Sequence, residues 1–178
     1  MRDLFAEFVA NPTRERYLAL AELVAAQPDY APYRASPLAA IDADGARGRY
    51  AAELERMARG IAGRLLSPEA HAYMAFLHER LGDGEAAAME HAIVDACLRG
   101  ILSTGDGTEA APYDVLAPGD EYAVLARLGR TSVEQRLVRR EGRHYDVHVL
   151  DDGGELWFDV SRALAHLSGY SPPTTHRE

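Results

Sequence analysis

The 178-residue chain reads as an α+β protein, with N-terminal helical hairpins packed on a small C-terminal antiparallel β-meander that carries one or two helices. Three observations predict this. Apolar residues recur at three- and four-residue intervals through the first hundred positions, the spacing of an amphipathic helix. From Thr131 onward the period falls to two, interrupted by turn signals at Glu141-Gly142 and Asp152-Gly153-Gly154. Between the two regimes lies a polar, glycine-containing stretch from Ser103 to Pro112.

Taken in order, Leu4/Phe8 and Phe5/Val9 give residues 2–9 one apolar side. Asn11 as N-cap and Pro12 at the first helical position open a second helix reaching residue 26. Residues 27–37 form a proline-rich connector whose tyrosines pack onto the helices. Tyr50, Leu54, Met57, Ile61 and Leu65 make a helical stripe over 47–65. Ser67 caps the next helix, Pro68 begins it, and Gly82-Asp83 stops it and restarts another that ends near Gly100. Residues 113–116 are a short strand, and Asp120 caps a helix closed by Gly129. Three antiparallel strands in meander order follow, then a helix over 161–167. The expected division is a helical sub-domain at 1–103, an α+β sub-domain at 104–170 and a flexible tail at 171–178.

Composition narrows the function classes. Hydrophobic content of 47% and charged content of 26% fit a globular protein. No apolar run approaches the roughly 18–20 residues of a membrane span. Asp3 and Glu7 interrupt the N-terminal apolar residues, against a secretory signal, so the expected location is cytoplasmic. Cys97 is the one cysteine and cannot form an internal disulfide. The net charge of −9 divides as −4 over residues 1–100 (11 Arg, 15 acids) and −5 over 101–178 (8 Arg, 13 acids). Neither half carries the basic stripe that nucleic acid requires. Nucleic acid and anionic membrane are therefore not expected partners. An acidic surface instead speeds association with a basic protein.

Two resemblances follow from particular residues. The run from Ser67 to Ala96 places Arg80-Leu81-Gly82-Asp83 at the turn of a helical pair, with small Ala75 and Ala87 inside it. It resembles one degenerate tetratricopeptide repeat, without a second copy at the 34-residue period, and implies a helical hairpin. The motifs at 105–116, 120–129, 145–153 and 155–161 together resemble an uncharacterised bacterial family known only as a domain of unknown function. That resemblance implies a helical half ahead of these motifs. It also implies shared roles for Gly105-Asp106-Gly107-Thr108 and Asp120-Glu121-Tyr122, and it carries no reaction or cofactor.

The candidate sites centre on the meander. His144, Asp146 and His148 occupy every second position and share one strand face. With Tyr145, Val147 and Val149 turned to the core beside Leu156, Phe158 and Val160, the expected opposite face holds His144, Asp146, His148, Leu150, Trp157 and Asp159. One reading is a polar or partner-binding face anchored by Trp157, with His148, Tyr122 and Glu121 as contacts. The alternative is a metal site formed by His144, Asp146, His148 and Asp159 for zinc or another divalent ion, structural or catalytic. His71, His78 and His91 form a second group, expected to be satisfied by carboxylate or backbone partners. Ser103–Glu109 lacks the ending of a phosphate loop and reads as a tight joint. Asp42 and Asp44 mimic a calcium loop but lack its glycine. The preferred function is a non-enzymatic protein-binding module without cofactor (an adaptor, dedicated chaperone or immunity-type protein). The alternative is the metal-dependent one.

Overall fold

The computed structural model describes residues 1–33 and 47–168. The expected tail at 171–178 and the calcium-like Asp42 and Asp44 lie outside the described residues. The elements run α1 (Arg2–Ala10), α2 (Arg14–Ala25), α3 (Arg47–Arg59), a 3-10 turn (Ala62–Arg64), α4 (Pro68–Leu81) and α5 (Gly84–Leu102). Then come β1 (Tyr113–Asp114), α6 (Pro118–Leu128), β2 (Ser132–Arg140), β3 (Arg143–Leu150), β4 (Glu155–Asp159) and α7 (Ser161–Ser168). The architecture is α+β, as the change of period predicts.

Local chemistry sets the helix ends. Ser67 accepts a hydrogen bond from the Ala70 amide, and Pro68 needs no intrahelical donor at the first position. Gly82 turns left-handed at φ 82°, closing α4, and Asp83 immediately caps α5 through the Ala86 amide. Two expected caps move. Thr13, and not Asn11, caps α2, whose first helical residue is Arg14 rather than Pro12. Asp120 is not the cap of α6 but its third residue. Its carboxylate reaches back to accept from the Leu116 and Ala117 amides, because Ala117 at the cap position has no oxygen to offer.

The four-stranded sheet has the order β1-β4-β3-β2. The three-stranded antiparallel meander is present, and β1 adds a parallel edge, Tyr113 opposite Phe158. The connection from α5 to β1 is the glycine-containing stretch, and it is a structural joint. Asp106 accepts from both the amide and the hydroxyl of Thr108, while the Gly107 carbonyl accepts from the Trp157 amide and extends the pairing along β4. Gly107 sits at φ +78° with Leu156 and Tyr113 each 2.6 Å from where a Cβ would stand. Gly107→Ala is therefore expected to cost about 2–4 kcal/mol from left-handed strain plus overpacking, measured as a lowered thermal midpoint.

The main core ignores the boundary at 103. Phe8, Tyr17, Leu20 and Ile101 from the helical part pack with Tyr113, Val115, Val124 and Phe158 from the sheet part. Gly100 permits this approach: a Cβ there would meet the Tyr17 and Phe8 rings at 2.7 and 2.8 Å. Tyr17 and Tyr30 tie the halves further by donating to the Asp114 and Leu116 carbonyls. A smaller cluster of Met57, Tyr73, Met74 and Leu77 joins α3 to α4.

Candidate functional site

Register decides which side chains meet. In β3 and β4, Val147 stands opposite Trp157, His148 opposite Leu156, and Tyr145 opposite Asp159. Directly opposed residues of an antiparallel pair share a face. One face therefore carries Tyr145, Val147, Trp157 and Asp159, and the other carries His144, Asp146, His148, Leu150 and Phe158. This corrects the expected arrangement: Trp157 and Asp159 lie away from the histidines, and the histidine face is the one turned to α6 and the core.

Trp157 is buried on its own face. Its ring meets Tyr145 edge-on at 6.0 Å, the Arg140 guanidinium stacks over it at 5.4 Å, and its indole N–H donates to Glu155. Asp159 accepts from Arg143 and from the Ser161 amide. On the other face, His148 is fully buried, edge-on to Phe158 and Tyr122 at 5.4 Å each. Its two ring nitrogens are both engaged, Nε2 with Glu121 Oε2 at 2.7 Å and Nδ1 with Ser132 Oγ at 2.9 Å. Asp146 accepts from Gln135 Nε2 at 3.0 Å, and Tyr122 donates to Gln135 Oε1 at 2.8 Å. His144 stands apart, its backbone amide bound by Ser161 Oγ.

The set His144, Asp146, His148 and Asp159 thus does not converge on a metal. Asp159 lies across the sheet, and His148 has no free nitrogen. Among the described residues no group of three or more His, Cys, Asp or Glu could hold a metal ion. The hairpin histidines His71, His78 and His91 are likewise dispersed. His71 binds Glu90 and the Leu65 carbonyl, His78 approaches Asp83, and His91 pairs with Glu79. Of the four nominated contacts, Trp157, His148 and Glu121 are buried, and only Tyr122 is open to solvent.

The sequence reading missed Ser132 and Gln135, which complete the network from β2. It also missed the burial of Asp120 and Glu121. Burial pushes the Glu121 carboxyl up to about 7, against the hydrogen bond from His148 that pulls it down. Burial, reinforced by Glu121 and Glu69, likewise raises Asp120 to about 7, against its two backbone donors. Each carboxylate keeps one buried oxygen, Asp120 Oδ1 and Glu121 Oε1, without a hydrogen-bond partner among the described residues.

The surface above this network is β2. It is the outer strand of the sheet, nine residues long, and its free side pairs with no other strand among the described residues. Val133 and Leu137 stand 65% and 58% exposed on it, which marks apolar side chains left uncovered. The strand carries Arg136, Arg139 and Arg140 against Glu134, a local positive sign on a chain of net charge −9. Arg136 and Arg140 are paired with Glu155 and Glu109, whereas Arg139 forms no ion pair among the described residues.

No protein-family model matches the chain, and neither a curated protein nor a solved structure matches it.

Proposed function

We propose that the protein is a non-enzymatic binding module that takes up an extended segment of another protein along β2. The observation that carries this reading is the long, uncovered outer strand with Val133 and Leu137 exposed. An open strand edge supplies a row of backbone donors and acceptors, and an added strand gains affinity from them while side-chain neighbours give specificity. The buried His148–Glu121–Ser132 network supports the same reading from beneath. It fixes the position of β2 against α6.

Charge selects the partner. Pairing two copies of β2 would bring arginines together, and like charges across a ladder are unfavourable. Arg139, beside Leu137 on the exposed strand, favours a segment that alternates apolar and acidic residues. The basic partner suggested by the overall charge is thereby replaced, for this surface, by an acidic one.

The test is site-specific photo-crosslinking in the native cell from position 137, with exposed Met89 on α5 as the control position. The expected result is one protein crosslinked from 137 and not from 89, lost on Arg139→Glu, with the crosslink mapping to an acidic, extended segment. Equal crosslinking from both positions, or a product unaffected by Arg139→Glu, would contradict the reading.

A further inference from the structure

We propose that Glu121 and Asp146 hold one proton between them, and that this shared proton clamps the outer strand β2 onto the body of the protein. Its consequence for binding rests on the reading of β2 as the strand that receives a partner segment. Gln135, on β2, is the link. Its Nε2 lies 3.0 Å from Asp146 Oδ2 on β3 and 3.4 Å from Glu121 Oε2 on α6, so one amide bridges two carboxyls. Its Oε1 accepts from Tyr122. The two carboxyls also meet each other directly, at hydrogen-bond range.

Two carboxylates in contact repel unless a hydrogen stands between them, and such a pair keeps one proton and one negative charge. Three observations ask for that hydrogen here. Glu121 is fully buried, out of reach of water. Its Oε1 has no hydrogen-bond partner among the described residues, and protonation relieves the cost of a charged oxygen left unsatisfied. Neither acid forms an ion pair with an arginine among the described residues.

The titratable groups facing the pair are His148 on β3, Tyr33 from the connector, and Asp120 and Tyr122 on α6. His144 and Arg139 stand opposite each other one step further along the same sheet face. Burial and then both acids raise Tyr33, which keeps it neutral. His148 offsets Glu121 through one hydrogen bond, yet burial is the larger influence and pushes Glu121 up to about 7. Below that pH the pair carries one negative charge, and Gln135 bridges it. Above it the proton leaves to water, and two adjacent negative charges face each other beneath β2. Asp146 is only half-buried and is the one able to turn toward solvent. Gln135 then loses the closer of its two acceptors. The strand edge is therefore firm in mild acid and looser in mild alkali.

The test is carbon-13 NMR of the side-chain carboxyls in the full chain from pH 5 to pH 9. It is joined to amide hydrogen exchange of β2 at pH 6 and pH 8, corrected for the intrinsic effect of pH. The Glu121 and Asp146 carbons should shift together as the shared proton leaves at about pH 7. Asp146→Asn should move the Glu121 midpoint down by about one unit or more. Protection of β2 should fall about tenfold from pH 6 to pH 8, as expected for one proton released near 7, and by more than that of α4 and α5. Glu121→Gln, an amide that cannot ionise, should keep β2 at its pH 6 level. Carbons that titrate separately, a Glu121 midpoint unmoved by Asp146→Asn, or pH-independent protection of β2 would overturn the proposal. So would hydrogens on both His148 ring nitrogens with both carboxyls ionised at pH 6, since the proton would then lie on the ring. The wild-type titration decides the matter even where a variant fails to fold. No partner is present in these measurements. A protein that binds nothing along β2 can still show the shared proton, and a failed titration leaves the crosslinking result standing.

Discussion

Replacing His148 with alanine is expected to lower the unfolding free energy by about 3–5 kcal/mol, or the thermal midpoint by roughly 6–20 °C for a chain of this size. Three losses combine. Glu121 loses the short hydrogen bond that offsets its burial, and its Oε2 keeps only the longer one from Gln135 Nε2 at 3.4 Å. Ser132 Oγ loses its contact at Nδ1, which helps hold the start of β2. The ring also leaves a void against Phe158 and Tyr122, and cavities add to the cost of a lost side chain. Most of the effect should be the penalty of a buried carboxyl that has lost its short partner. The double replacement His148→Leu with Glu121→Leu should therefore cost clearly less than the sum of the single ones. Urea unfolding of the four proteins measures this. Simple additivity, or a His148→Ala cost below about 1 kcal/mol, would mean that the pair does not act as a unit.

The second large effect is a stability that falls from mildly acidic to mildly alkaline pH. Glu121 titrates at about 7 folded against an ordinary 4.5, and Asp120 at about 7 against 3.8. Both are raised, so the folded protein keeps protons that the unfolded chain would release. The associated stability is fully present below about pH 4, and it is lost as pH climbs through 7. For either group alone the loss is about 3–4 kcal/mol. The two are neighbours on α6 and titrate together, so their contributions do not add. The urea midpoint should be higher at pH 5 than at pH 8. Glu121→Gln should flatten that slope, because an amide can still bond to His148 without titrating. A midpoint that rises from pH 5 to pH 8, or a slope unchanged by Glu121→Gln, would contradict the burial of these acids.

The physical reasons for the errors of sequence reading are visible in the same residues. Helix boundaries at Ser67-Pro68 and Gly82-Asp83 were legible because cap chemistry is local. The strands were legible because turn residues bracket them. The facing of the strands was not. Period two tells which residues of one strand share a face, whereas the register of the next strand is set by the turn at Asp152–Gly154, and a one-residue slip exchanges the faces. The usual contrast between an apolar and a polar face was also absent, since Val147 and His148 are both fully buried. The burial of Asp120-Glu121 was hidden for a different reason. Acids in the first turn of a helix ordinarily face solvent, and here the helix end is itself inside, beneath Tyr30 and against β3. Ser132 and Gln135 carry no motif, and they enter the network only through the pairing of Gln135 with His148 and Ser132 with Leu150.

The most direct measurement on β2 is backbone amide hydrogen exchange across residues 132–140, in the free protein and with its crosslinked partner segment added as a peptide. Slowed exchange should appear at alternate positions of β2, those whose N–H groups point away from β3, with α4 and α5 unchanged. Protection on the α4–α5 hairpin with β2 exchanging as fast as before would place the binding surface elsewhere and refute strand addition.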